Sequence, residues 1–195
     1  MRVLVVHCHP VPESYVAAVR DRVLGALGRA GHEVRLLDLH AIGFDPVMGT
    51  EERRRYNELG PGEHPMPEQA AHLAWCEALV FVYPTWWYGA PAMLKGWLDR
   101  VWTPGTAFGL DPGTGEIRPL MTHVTKLAVV TTCGAPWWFS RWVGFPGRRT
   151  ILRGLRVLCA KRCRTTYLAH YRMDASTQAS RTRFLERVER RFERF

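Results

Sequence analysis

Three aromatic residues stand side by side between a predicted buried strand and a predicted helix: Trp86, Trp87 and Tyr88. An unbroken apolar run at residues 78–82 predicts the strand, and Pro91 favours a helix start because its missing N–H is not needed there. An aromatic side chain has about 150–250 Å² of surface to bury, and in a loop this surface is hard to bury without a binding partner. These residues predict a site for a flat ligand. An aromatic plug over the sheet end, or a contact between two copies, is the alternative.

A second segment carries polar groups that suit an anion. His9 and Ser14 lie between a predicted strand at residues 2–7 and a predicted helix at residues 13–30. Free N–H groups and the helix dipole at such a position stabilise a phosphate by about 0.3–1 kcal/mol. The segment lacks the glycines of a dinucleotide or P-loop fingerprint. The alternative is that Ser14 only caps the helix and His9 is a surface histidine.

A third segment, residues 131–139, leaves the fourth predicted strand. Gly134 allows close approach of the backbone to a ligand, and Trp137 and Trp138 would then cover the pocket. Ordinary packing is the alternative for these aromatic rings. Cys133 is not expected to act as a nucleophile, because no base lies near it in the sequence.

Predicted strands and helices alternate along the chain. The strands are at residues 2–7, 33–39, 78–82, 124–132 and 164–170, and the helices at 13–30, 51–58, 68–76, 91–102, 150–160 and 175–195. This alternation predicts an α/β three-layer sandwich, a single domain over residues 1–195 with a five-stranded parallel sheet of order 2-1-3-4-5. In that order a ligand lies at the carboxyl ends of strands one and three. The long aperiodic segment 104–123 predicts a lid or a binding loop.

Composition limits the classes of function. Five cysteines without a Cys-x-x-Cys pair argue against a disulfide framework and against a zinc site, so no metal is expected. The net charge of +9 suits an anionic cofactor or substrate. Nucleic acid is not expected as a partner, because the arginines are spread along the chain, although they are most frequent after Arg141. No apolar run approaches the roughly 20 residues of a membrane span, and no signal peptide is recognised. A cytoplasmic location is expected.

Residues 84–101 read Pro-Thr-Trp-Trp-Tyr-Gly-Ala-Pro-Ala-Met-Leu-Lys-Gly-Trp-Leu-Asp-Arg-Val, and residues 104–108 read Pro-Gly-Thr-Ala-Phe. These strings closely resemble the NAD(P)H quinone oxidoreductases of the flavodoxin-like superfamily, the DT-diaphorase and modulator-of-drug-activity type. His9-Pro10 with Ser14, Asp38-Leu39 with residues 43–46, and Thr131-Thr132 with Gly134 fall in the order which that family shows. The resemblance covers nearly the whole chain. It implies a homodimer that binds FAD, or alternatively FMN, and uses NAD(P)H as cosubstrate.

The resemblance also implies roles for individual residues. The cofactor-binding residues would be His9, Ser14, Tyr15, Pro84, Thr85, Trp86, Trp87, Tyr88, Thr131, Thr132 and Gly134. Phe108, with Trp137 and Trp138, would border the substrate space. Groups around Trp86, Trp87, Tyr88 and Gly134 would stabilise charge on the reduced flavin. No catalytic side chain is assigned, because Phe139 and Phe145 stand where the mammalian enzymes have a tyrosine and a histidine. Val16 stands where the family often has asparagine, which weakens the FAD assignment.

The implied reaction is a ping-pong hydride transfer. The hydride passes from NAD(P)H to flavin N5, and a quinone-like acceptor then uses the same slot. Three alternatives stay open: an ancillary regulatory subunit of a membrane transporter, an azo or nitro reductase, and a one-electron flavodoxin carrier. The last is disfavoured by the charge of +9, because such carriers are usually acidic.

Overall fold

Five strands of the chain form a parallel sheet, and the three central strands of this sheet contain unbroken apolar runs. The computed structural model describes residues 1–58, 63–111 and 113–195. The strands are β1 (Arg2–His7), β2 (Glu33–Asp38), β3 (Ala78–Pro84), β4 (Phe108–Leu110), β5 (Ile117–Pro119), β6 (Lys126–Cys133) and β7 (Arg164–Tyr171). In the described residues β4 and β5 form a separate two-stranded sheet, and the main sheet has the order β2-β1-β3-β6-β7. Since β6 and β7 are the fourth and fifth strands of the main sheet, the predicted order 2-1-3-4-5 is confirmed.

Helices cover both faces of this sheet. The α-helices are α1 (Tyr15–Arg29), α2 (Thr50–Arg55), α3 (Pro67–Trp75), α4 (Ala92–Val101), α5 (Trp137–Val143), α6 (Pro146–Arg149) and α7 (Gln178–Phe192). A π-helix at Thr150–Gly154 and 3₁₀ helices at Leu155–Leu158 and Met173–Ala175 complete the regular structure. None of the helices in the described ranges has both the length and the apolar character to cross a membrane.

The alternation of side chains along each strand divides the core into two layers. One layer packs against α1 and α7 and contains Val3, Val5, Val80, Val82, Phe184 and Val188. The other packs against α3 and α4 and contains Leu4, Phe81, Leu73, Leu94, Trp97 and Ile151. Strands that are apolar on both sides are the pattern of a sheet covered by helices, so the three-layer prediction is confirmed.

Three segments differ from the prediction in detail. Residues 150–158 form one π turn and one 3₁₀ turn instead of an α-helix; Ile151 and Leu152 are buried there, and Leu155 and Leu158 pack against the same layer. The aperiodic segment 104–123 contains the β4–β5 hairpin. The segment after β6 becomes helical at Trp137, and Pro136 is the residue that precedes the helix.

Candidate functional site

A crevice of about 760 Å³ opens where β1, β3 and β6 end. Its β1–α1 wall is formed by His9, Ser14, Tyr15 and Val16, and its β3 wall by Pro84, Thr85, Trp86 and Trp87. Thr132, Gly134, Met173 and Asp174 close the remaining side. The crevice therefore lies at the switch point of the sheet, where the connections from two neighbouring strands run in opposite directions. Ligands bind at this point in open α/β folds. Of the residues predicted to contact a cofactor, all line it except Tyr88 and Thr131.

The β1–α1 segment presents backbone donors to the crevice. Ser14 is the N-cap of α1, and its hydroxyl oxygen accepts a hydrogen bond from the N–H of Ala17 at 3.1 Å. Among the described residues, none accepts a hydrogen bond from the N–H groups of Tyr15 and Val16. Ser14 therefore caps the helix and also lines the crevice. The two free N–H groups beside it are suited to an anion.

The side chains of Tyr15 and His9 are held by local hydrogen bonds. The Tyr15 hydroxyl donates to the carbonyl of Arg181 at 2.8 Å, and burial raises the pKa of Tyr15 to about 12. The N–H of Val11 donates to Nδ1 of His9 at 3.0 Å, and burial lowers the pKa of His9. A neutral His9 with Nδ1 as acceptor carries its proton on Nε2. The carbonyl oxygen of Val11 also lies 3.2 Å from Nδ1, and the lowered pKa favours an uncharged His9 at the crevice wall.

The turn from Trp86 to Gly89 has an unusual backbone. The N–H of Gly89 donates to the carbonyl of Trp86 at 3.0 Å, and the N–H of Trp86 donates to the carbonyl of Gly89 at 3.2 Å. The two central residues, Trp87 and Tyr88, have φ values of 47° and 60°. Positive φ at both centres is typical of a type I′ turn and is uncommon outside Gly, Asn and Asp. The N–H of Gly147 donates to the carbonyl of Tyr88 at 3.0 Å and helps to hold this conformation.

This turn leaves groups without a protein partner. The Trp87 side chain is 95% exposed, whereas Trp86 is 46% exposed. In the part of the chain that the structure describes, the N–H groups of Trp87 and Tyr88 have no acceptor. An exposed indole beside two free amides suits a flat ligand with a polar edge.

Thr131 supports the crevice from below. Its side chain is 2% exposed, and its hydroxyl lies 2.9 Å from the hydroxyl of Thr85. The N–H of Thr85 donates to the carbonyl of Thr132 at 2.7 Å. These bonds position the two threonines that do line the crevice, so Thr131 acts through its neighbours.

Tyr88 points to a second, small cavity next to the crevice. This cavity is lined by Tyr88, Thr85, Cys133, Ser140, Phe145 and Tyr171, among others. The Tyr88 and Phe139 rings are 5.9 Å apart. Within the described residues, the hydrogen-bond contact of the Cys133 thiol is the Ser140 hydroxyl at 3.6 Å, and no base contacts it. That Cys133 is not a nucleophile stays a prediction.

The predicted substrate residues lie outside the crevice wall of the single chain. Phe108 pairs with Pro119 in the β4–β5 hairpin and packs against the core. Trp137 and Trp138 occupy the first turn of α5, where they are 54% and 62% exposed. Their place as substrate contacts stays a prediction.

A family model described as "Flavodoxin-like fold" matches residues 1–194. The chain belongs to this family. The sequence is 36% identical over 109 residues to "Uncharacterized NAD(P)H oxidoreductase YcaK" of Escherichia coli (strain K12), covering 55% of this chain and 56% of that protein. It is 27% identical over 146 residues to "Ribosyldihydronicotinamide dehydrogenase [quinone]" of Homo sapiens, covering 67% and 63%. The chain thus spans about half to two thirds of the length of these curated relatives.

Solved structures resemble the flavodoxin-like chain over its whole length. The NAD(P)H:quinone oxidoreductase from Methanothermobacter marburgensis is 27% identical, with a TM-score of 0.82 and coverage of 99% of this chain and 96% of that one. Smu.1420 from Streptococcus mutans UA159 is 25% identical, with a TM-score of 0.87 and full coverage of both chains. The resemblance noted from residues 84–101 is therefore confirmed at the level of the family.

Three crevice residues of this flavodoxin-like chain were not predicted: Val16, Met173 and Asp174. Met173 and Asp174 belong to the 3₁₀ turn that follows β7, so the rule that ligands lie at strand carboxyl ends, applied to the fifth strand, would have found them. A Cβ atom at Gly134 would lie 2.6 Å from Oδ2 of Asp174. Gly134 therefore lets the Asp174 carboxylate approach the backbone at the crevice wall.

Proposed function

We propose that this flavodoxin-like protein is a flavin-dependent oxidoreductase that transfers electrons from NAD(P)H to a quinone-like acceptor. The observation that carries the proposal is the composition of the crevice. Free N–H groups of a helix start lie on one wall, and an exposed tryptophan turn with two free amides lies on another. The names of the relatives support it, since they include an NAD(P)H oxidoreductase and quinone dehydrogenases.

The residues present fit a flavin with a phosphate at one end. The N–H groups of Tyr15 and Val16, with the hydroxyl of Ser14 and the imidazole of His9, would hold the phosphate end, because a helix start favours an anion. Trp86 and Trp87 would hold the flat ring, as would Thr132 and Gly134 on the opposite side. The free N–H groups of both walls carry the test of this fit, and glycine at position 134 lets the Asp174 carboxylate lie against the backbone of the crevice wall.

When bound, the flavin supplies the hydride chemistry, because it accepts a hydride from a nicotinamide and passes two electrons to a second substrate. The chain contributes positioning and charge stabilisation. The free N–H groups of Trp87 and Tyr88 are fixed by the turn hydrogen bonds, so they stabilise negative charge at the polar edge of the ring without reorganising. The exposed ring of Trp87 excludes water from one side of the site.

Donor and acceptor would use the crevice in turn, which gives ping-pong kinetics. We propose a homodimer, since Trp87, Trp138 and Trp142 form exposed apolar surface near the crevice, at 95%, 62% and 79% exposure. A second copy would cover this surface and bring Phe108, Trp137 and Trp138 to the substrate space. FAD is the proposed flavin and FMN the alternative. The cytoplasmic location stays a prediction.

Purified protein provides the test. We expect a yellow preparation, a released flavin that mass spectrometry identifies after denaturation, and NAD(P)H oxidation that accelerates when menadione is added. The same assay with an azo dye and a nitroaromatic distinguishes quinone reduction from azo or nitro reduction. A colourless protein that neither binds added FAD or FMN nor oxidises NAD(P)H would rule out the proposal.

A further inference from the structure

Strand β7 lies at the edge of the sheet and has unpaired backbone groups. The N–H of Arg164 donates to the carbonyl of Thr125, on the β6 side, at 2.9 Å. Successive residues of a strand turn to opposite sides, so the N–H and C=O groups of Thr165, Tyr167 and Ala169 point away from β6. No loop or side chain of the described residues hydrogen-bonds to these groups. The edge therefore offers an extended row of donors and acceptors.

Each flank of this edge is a groove rich in arginine. The groove on the α7 side has a volume of about 640 Å³ and contains Arg187, Arg190, Arg191 and Arg194. The groove on the α6 side has a volume of about 340 Å³ and contains Arg141, Arg148, Arg149, Arg153 and Arg156. Thr165 lines both, so the two grooves meet at the strand. Among the described residues that line them, none is acidic.

The acidic residues of α7 do not neutralise these arginines, because most of them face α1. Glu189 accepts a hydrogen bond from Arg22 at 2.6 Å and also pairs with Arg29. Glu193 pairs with Arg29 at 3.2 Å. The remaining pair, Glu186 with Arg190, is exposed and spans 3.8 Å, which makes it a weak interaction. The grooves therefore keep a strong positive charge.

Several of the arginines are held in place beside the strand. Arg191 donates to the hydroxyl of Thr166 at 2.6 Å, and Nε of Arg156 donates to the carbonyl of Cys163 at 2.9 Å. The guanidinium of Arg148 lies 5.1 Å from the centroid of the Tyr167 ring. Side chains that are already positioned lose less entropy when they bind a carboxylate.

We propose that β7 binds an acidic, extended segment of a partner protein as an additional strand of the sheet. Such a segment would bond to the free backbone groups of Thr165, Tyr167 and Ala169. Its side chains would alternate between the two grooves, where carboxylates pair with guanidinium groups. Positive charge on both flanks repels a second copy of the same edge and favours a partner of opposite charge. This inference does not depend on the proposed flavin chemistry.

A peptide titration tests the backbone part of the proposal. A fluorescein-labelled peptide of repeated Glu-Glu-Thr-Thr, which presents carboxylates on both faces of a strand, is titrated with the protein at physiological salt, and fluorescence polarisation is measured. A second peptide has the same charges but N-methylated backbone amides, which cannot donate strand hydrogen bonds. We expect the N-methylated peptide to bind at least about tenfold more weakly, a difference of about 1.4 kcal/mol. Failure of the first peptide to bind, or equal binding of the two peptides, would overturn the proposal.

Other polyanions serve as comparison. Labelled oligo-dT and anionic phosphatidylglycerol vesicles carry charge but lack a peptide edge. If either one bound as tightly as the Glu-Thr peptide, this edge would be a general anion-binding surface and not a site for an added strand. We expect both to bind more weakly than the peptide at the same salt concentration.

Charge-reversal variants locate the site. R187E/R194E changes one groove and R149E/R153E the other, and each is expected to weaken peptide binding by about tenfold or more. The matched control is R53E/R54E in α2, which follows the opposite edge strand β2 in the chain and has the same charge change. Circular dichroism melting checks that each variant is folded. An equal loss of peptide binding in the control would contradict the assignment to β7.

Discussion

The hydroxyl groups of Thr85 and Thr131 lie 2.9 Å apart and join the carboxyl ends of β3 and β6 below the crevice. Thr131→Val keeps the shape of the side chain and removes this bond. We expect the free energy of unfolding to fall by about 1 kcal/mol, and flavin affinity to fall severalfold because Thr85 loses its support. Urea unfolding and flavin titration measure the two effects. Thr165→Val at the exposed sheet edge is the control, and equal effects there would contradict the role of Thr131.

Trp87 contacts little of its own protein, since it is 95% exposed. Trp87→Ala should therefore change the free energy of unfolding by less than about 0.5 kcal/mol but weaken flavin retention. Leu98→Ala is the opposite case, because Leu98 is only 6% exposed. This substitution should lower the free energy of unfolding by about 2–5 kcal/mol and leave the flavin affinity of the folded protein unchanged. Unfolding curves and flavin titrations of both variants would separate the two roles. Unchanged flavin affinity in Trp87→Ala would remove this residue from the site.

Gly96 allows α4 to pack directly against the segment after β2. A Cβ atom at this position would lie 2.3 Å from the carbonyl oxygen of Pro46 and 2.4 Å from its Cβ. Gly96→Ala should therefore lower the free energy of unfolding by about 1–3 kcal/mol or more, because backbone must move. Gly28→Ala in α1 meets nothing within 4 Å and should be stabilising by up to about 1 kcal/mol. Thermal unfolding of the two variants should shift in opposite directions, and a shift in the same direction would contradict this packing.

His7 makes stability dependent on pH. Its side chain is 1% exposed, and burial lowers its pKa to about 4, although Asp38 at 3.9 Å acts in the opposite direction. The unfolded chain takes up a proton below its ordinary pKa of about 6.5, whereas the folded chain does not until about pH 4. Stability is therefore complete above pH 6.5 and falls by up to about 3 kcal/mol as the pH decreases to 4.

His7→Gln tests this assignment. Between pH 6.5 and pH 4, the free energy of unfolding should decrease less in the variant than in the wild-type protein. The other histidines with lowered pKa values, such as His9 and His170, contribute equally in the two proteins. Denaturant unfolding at several pH values gives the two slopes. Identical slopes would show that His7 is not the residue responsible.

The sheet could be predicted from the sequence because its three central strands contain unbroken apolar runs and helical periodicity separates the strands. The predicted bounds of β1 agree with the structure, and β3 extends the predicted run only to Pro84. The switch-point rule then located the crevice, since it depends only on strand order. Local pattern and global topology agree in this part of the chain.

The direction of side chains on short elements could not be predicted in the same way. Trp137 and Trp138 are neighbours on α5, and consecutive helical residues point about 100° apart, so the two rings leave the helix in different directions. Asp174 follows the fifth strand, and only the packed fold brings it to Gly134. The arginines of the two grooves lie in segments 141–156 and 187–194, which the edge strand brings together.

The ion pairs between α1 and α7 have a consequence for the order of folding. Arg22 and Glu189 are 167 positions apart, so their contact closes almost the whole chain into a loop. Closing a loop of this length costs conformational entropy, and contacts of this kind form late. Weakening this pair should therefore increase the unfolding rate and leave the refolding rate nearly unchanged. Contacts between α1 and α7 are therefore expected to slow unfolding more than they accelerate folding.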